Sequence, residues 1–124
     1  SGRVLVVEDE KLLESLVSRV LMRAGFDVLS AHSPAMALEL LADQGEVGVD
    51  VLLTDVVMPE MNGRQLSERI ESIQPGLRTV FMSGYPATVV RQRGLLPDGM
   101  NVLQKPFTNE QLLERVQGAL VGQS

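Results

Sequence analysis

Five short apolar runs alternate with helical patterns along this chain, and that alternation leaves few folds open. Arg3 to Val7 reads RVLVV, a continuous apolar run that suits a strand buried on both faces. Leu12, Leu13, Leu16, Val17, Val20 and Leu21 then recur at helical spacing, up to a capping glycine at Gly25. Asp27 to Ala31 is a second strand. Ser33-Pro34 opens a second helix, with Ser as N-cap and Pro at the first helical position. It carries Ala37, Leu38, Leu40 and Leu41 and fades at Asp43-Gln44-Gly45. Asp50 to Thr54 is the third strand, and Asp55 follows it. The helix after Gly63 uses Leu66, Ile70 and Ile73 and stops at Gln74-Pro75-Gly76. Arg78 to Met82 is a fourth strand, Pro86 to Arg93 a short helix, Gly94 to Gly99 a loop and Asn101 to Gln104 a fifth strand. Thr108 and Gln111 form a capping-box pattern ahead of Leu112, Leu113, Val116 and Leu120. Strand and helix in strict alternation predict an α/β domain: a parallel sheet covered on both faces, with right-handed crossovers.

In open sheets of this kind ligands sit beyond the carboxyl ends of the strands, near the point where strand order reverses. Strands one, three, four and five end on Glu8-Asp9, Asp55, Ser83 and Lys105. A polar residue at one strand exit is ordinary, because chains turn toward solvent there. Three acids, a hydroxyl and one of only two lysines at four exits make a site. The stretch VLLTDVVMPEMNG presents Asp55 at a strand tip before a stiff turn through Met58-Pro59, with Gly63 starting the next helix.

Three carboxylates in one pocket repel; at ~4 Å and an effective dielectric near 20, each like-charge pair costs about 4 kcal/mol before screening. Such a site raises a carboxyl pKa or binds a cation, and an all-oxygen, acid-rich set suits Mg²⁺ or Mn²⁺. Glu8, Asp9 and Asp55 against Lys105 leave two net negative charges, which one divalent ion cancels. An anionic phosphoryl group can then approach. A carboxylate can act as nucleophile, and phosphoryl transfer asks mainly for positioning and charge neutralisation. Asp55 is the expected nucleophile, with Lys105 and the Ser83 hydroxyl on the phosphoryl oxygens and Gly84 leaving room.

Composition closes other routes. The 124 residues suit one domain, and the absence of cysteine excludes disulfides, thiolate metal sites and thiol nucleophiles. A net charge of −5 without a basic cluster makes the chain a poor partner for nucleic acid. Phe26, Phe81, Tyr85 and Phe107 are too few for base stacking. No apolar run is long enough to span a membrane and no signal peptide is visible, so a cytoplasmic location is expected. Residues 1–2, Ser1-Gly2, read as an expression scar on a domain cut from something longer, with the domain over 3–121 and a tail at 122–124.

VLVVEDE, LLTDVVMPEMNG, FMSGYP and LQKPF together resemble a response regulator receiver domain of bacterial two-component signalling, over Arg3 to Val121. Asp9, Asp55, Ser83 and Lys105 stand 46, 28 and 22 positions apart, and four motifs in order at this spacing are specific. The resemblance implies a flavodoxin-like (βα)5 fold with strand order 2-1-3-4-5. It implies a phosphoryl group taken by Asp55 from a phosphohistidine on a histidine kinase or histidine phosphotransfer domain. It further implies metal held by Glu8, Asp9, Asp55 and the backbone carbonyl of Val57, and a cis peptide between Lys105 and Pro106. The wording of FMSGYP and LQKPF is similar to receivers at the C-terminus of hybrid sensor kinases. A monomer or weak dimer is expected.

The chain departs from the family pattern in places. Glu8 stands where many members have aspartate, and Ser83 where threonine is commoner. Members that switch by rotating an aromatic ring carry Phe or Tyr where this chain has Val102. Tyr85 either shields an acyl phosphate or packs on the surface, and packing is favoured. Val57 offers no side-chain hydrogen bond to an attacking water. His32, the only histidine, reads as structural, since nothing pairs it with a nucleophile. Two rivals remain. A metal-dependent phosphatase of the best-known aspartate-nucleophile type needs an acid two residues after the nucleophile, where Val57 stands. A degenerate receiver acting only as an interaction module would have no need of the four polar strand ends. Glycine-rich nucleotide-binding motifs are absent.

Overall fold

The structure, a computed structural model, describes residues 2–43, 48–97 and 99–121. The expected end of the second helix at Gln44-Gly45, one residue of the Gly94–Gly99 loop, Ser1 and the 122–124 tail lie outside the described residues. The elements are β1 (Arg3–Val7), α1 (Lys11–Arg23), β2 (Asp27–Ala31), α2 (Pro34–Asp43), β3 (Val51–Asp55), α3 (Gly63–Ile73), β4 (Arg78–Ser83), α4 (Ala87–Gln92), β5 (Val102–Gln104) and α5 (Asn109–Val121). All strands are parallel, in the order β2-β1-β3-β4-β5.

Continuous apolar runs become strands whose successive side chains feed two cores. Val4 and Val6, with Val51, Leu53, Val80 and Met82, pack under α1 and α5 against Val17, Leu21, Leu112 and Val116. Leu5, Val7 and Leu52 pack on the other face against Ala37, Leu66 and Ile70 of α2 and α3. A third, small cluster of Val56, Phe81, Val90 and Leu96 lies beneath α4. No helix among the described residues is long and apolar enough to cross a membrane.

The helix ends follow local chemistry. The Met36 N–H donates to Ser33 Oγ, as its N-cap position requires. Thr108 and Gln111 exchange backbone-to-side-chain bonds at 2.8 and 3.1 Å, closing the expected capping box. Asn62 and Gln65 form a second one at the start of α3. Gly25 ends α1 at φ +97°, a conformation open to glycine. The strand boundaries shift slightly. Asp55 and Ser83 are the last residues of β3 and β4, because the ladder continues through Asp55↔Met82 and Ser83↔Gln104. β5 begins at Val102, one residue later than the apolar run suggests.

Register positions the site. Val7 pairs with Thr54, so Glu8 emerges from β1 level with Asp55 on β3. The Lys105 N–H donates to the Ser83 carbonyl at 2.8 Å, fixing the end of β5 beside the end of β4. The order of strands reverses between β1 and β3, and the two central exits are the acidic ones.

Candidate functional site

The strand exits line one cleft of about 340 Å³ that includes Glu8, Asp9, Asp55, Ser83 and Lys105, with Val57, Gly84 and Tyr85 at its edges. Lys105 reaches across it. Its Nζ lies 2.7 Å from Asp55 Oδ1 and 2.8 Å from Glu8 Oε1. Glu8 and Asp55 are buried, at 1% and 5% exposure, whereas Asp9 is exposed. Glu8 is held from a second side by the Glu10 N–H, 3.1 Å from Oε2. A continuous backbone-to-side-chain clamp therefore fixes Glu8, while Asp55 keeps one oxygen off the lysine.

Burial and charge act together on this trio. Burial, and then the hydrogen bond and charge of Glu8, push the Asp55 carboxyl up to about 8 against the pull of Lys105. Burial also disfavours the Glu8 carboxylate, but its bonds with Asp55, Lys105 and the Glu10 N–H outweigh that and hold it below the usual range. The same two acids raise Lys105 despite its burial, so its ammonium is secure. One lysine cannot neutralise both buried acids, and the pair retains a proton that a cation can displace.

The donor set fits a hard divalent ion. Glu8, Asp9 and Asp55 each offer a carboxylate oxygen, all within 4.8 Å of one another, and oxygen is the ligand such ions prefer. Val57, half-exposed, lines the same cleft. Lys105-Pro106 is a cis peptide, as the resemblance implied.

The structure brings the expected residues together, with one change of partner. The Ser83 hydroxyl, buried at 3%, donates to the Tyr85 carbonyl at 3.0 Å and accepts the Tyr85 N–H at 2.9 Å. Tyr85 is partly exposed at the edge of the cleft, with the Arg93 guanidinium 5.4 Å from its ring centre. Val102 is half-buried against the cluster beneath α4. His32 sits outside the cleft, with Nδ1 3.5 Å from Glu14 Oε1 and no hydrogen-bond geometry to it.

Two backbone contacts escaped the sequence reading. Glu10 acts through its backbone N–H, which no side-chain pattern reveals. Gly63 packs its Cα against the Asp55 backbone: a Cβ there would lie 2.1 Å from the Asp55 carbonyl oxygen. Its signal was available, since glycine is a poor choice for a helical position unless something close forbids a side chain.

A family model described as "Response regulator receiver domain" matches residues 4–117. The chain is 32% identical over 119 residues to the response regulator receiver protein CpdR of Brucella abortus (strain 2308), covering 96% of this chain and 97% of that protein. It is 37% identical over 121 residues to the sensor kinase CckA of the same organism, covering 97% of this chain but 13% of the kinase. Several other relatives, transcriptional regulatory proteins, are matched over about half their length or less. Among solved structures, the receiver domain from the hybrid histidine kinase CckA superposes with a TM-score of 0.78 at 32% identity, over 96% of this chain and 99% of that one. A response regulator receiver protein from Sinorhizobium medicae WSM419 gives 0.80 at 30% identity, over 97% and 94%.

Proposed function

This chain belongs to the response regulator receiver domain family, and on that premise we propose that Asp55 is its phosphoacceptor, taking a phosphoryl group from a phosphohistidine. The observation that carries the assignment is the Lys105 ammonium, 2.7 Å from the Asp55 carboxylate at the tip of a buried strand. It supplies fixed positive charge where the transferred group must arrive.

An Asp55 oxygen attacks phosphorus, the phosphorus–nitrogen bond to the donor imidazole breaks, and that nitrogen takes the electron pair. Asp55 must be ionised to attack, and its raised pKa makes loss of its proton part of priming the site. Lys105 then pairs with a phosphoryl oxygen. The Ser83 hydroxyl donates to another after leaving the Tyr85 carbonyl. Mg²⁺ or Mn²⁺ would be held by Asp9, Asp55, the Val57 carbonyl and more loosely Glu8, and would supply the remaining charge neutralisation when bound.

Receiver domains interact with histidine kinases and phosphotransfer proteins, and such a protein is the proposed donor. Similarity to CckA supports a place within a hybrid kinase, and similarity to CpdR a separate receiver protein. The domain is read as a cytoplasmic monomer or weak dimer that does not bind nucleic acid. Incubation with acetyl phosphate and Mg²⁺ tests the reading by intact mass. One added phosphate, lost on chelation, is expected; an unchanged mass overturns it in favour of an interaction module.

A further inference from the structure

The Ser83 hydroxyl has one proton, and in this structure it is committed to the Tyr85 carbonyl. The same oxygen accepts the Tyr85 N–H, so a two-residue turn is closed from both sides by one side chain. The next residue, Pro86, is the N-cap of α4 and brings no side-chain cap bond. α4 is only six residues long and buries one of them, Val90. At its far end Arg93 follows the last turn, and its guanidinium stands over the Tyr85 ring, within the range of a cation–π contact. The Tyr85 backbone therefore answers to Ser83, while its ring answers to the C-terminal end of α4.

Resting on the phosphoacceptor reading above, we propose that Tyr85 and Arg93 form the relay that carries the state of Asp55 to α4. When Ser83 donates to a phosphoryl oxygen, its bond to the Tyr85 carbonyl is lost. The Tyr85 peptide is freed, its ring shifts under Arg93, and the lightly anchored α4 repositions on the Val90 cluster. Val102 cannot substitute for this path. Its side chain has no ring to rotate and packs on that cluster, and its carbonyl is held by Arg115 Nη1 at 2.6 Å.

The test is hydrogen exchange of peptides spanning residues 86–95, with and without acetyl phosphate and Mg²⁺, with intact mass recorded on the same samples. In the unaltered protein phosphorylation should change exchange in this segment several-fold. Arg93→Gln, outside the cleft, should accept phosphate to the same extent and lose most of that change. Tyr85→Phe keeps the ring and should keep the response; Tyr85→Leu should lose it. Full phosphorylation of Arg93→Gln with an undiminished change in α4 overturns the relay alone. Absence of added phosphate in the unaltered protein overturns the phosphoacceptor reading, and the relay with it.

Discussion

Gly63 and Asp55 touch through their backbones: a methyl group at Gly63 would sit 2.1 Å from the Asp55 carbonyl oxygen and 3.0 Å from its carbon. The Gly63 N–H also donates to the Val56 carbonyl at 2.8 Å, and the Thr54 hydroxyl donates to the Asp55 carbonyl at 3.1 Å. The start of α3 is thus pressed onto the end of β3, and Asp55 cannot move without moving the helix.

Gly63→Ala should therefore harm both stability and chemistry. The obstructing atom is backbone, so no side chain can swing away, and overpacking of this kind costs about 3 kcal/mol. Urea denaturation measures the loss, and the rate of phosphorylation by acetyl phosphate should fall with it. A variant of native stability and native rate would show that the contact relaxes freely.

Asp55 is a stability liability that grows with pH when metal is withheld. Its folded pKa, about 8, lies above the ordinary 3.8, because burial and Glu8 disfavour the charge. Between those values the folded state holds a proton that the unfolded state has lost, so the group's contribution to stability falls as pH rises. Asp55→Asn should match the parent near pH 4 and exceed it by about 5 kcal/mol near pH 8 in chelator. Paired urea titrations across that window check it, and a pH-independent gap contradicts it.

At the proposed metal site the same proton should govern affinity. Below pH 8 a divalent ion must displace it, so the apparent Mg²⁺ dissociation constant should rise about tenfold for each unit of acidification. Glu8→Gln removes a neighbouring charge and should move the onset of this dependence to lower pH. It should not restore an ordinary carboxyl, because burial is the larger cause. Isothermal titration at several pH values measures both.

Glu60 stores strain in the loop that follows Asp55. It has φ +76°, with the Met61 N–H bonded back to the Pro59 carbonyl at 2.8 Å. Glu60→Gly should relieve strain by more than it adds unfolded-chain entropy, for a net gain of about 1 kcal/mol. A higher urea midpoint at unchanged slope is the expected result.

The order of elements and the four converging strand ends were legible because both follow from periodicity and from where strands stop. RVLVV, VLLTD and RTVFM carry their burial on both faces in their composition alone. What escaped depends on register and backbone placement. The Gly63–Asp55 contact exists only once α3 is docked on β3, and the grip of Glu10 on Glu8 runs through an N–H. The Ser83 hydroxyl was expected at the phosphoryl site, yet its partner in this structure is the Tyr85 backbone. A hydroxyl can serve either partner, and sequence gives no preference between them.

Borohydride reduction of the phosphorylated domain is the most direct test of the central claim, because it converts an aspartyl phosphate to homoserine and marks the acceptor. Peptide mass spectrometry after acetyl phosphate, Mg²⁺ and reduction should find homoserine at position 55 and nowhere else, and none in Asp55→Asn. Homoserine at Asp9 or another aspartate, or an added phosphate that persists in Asp55→Asn, would contradict the assignment.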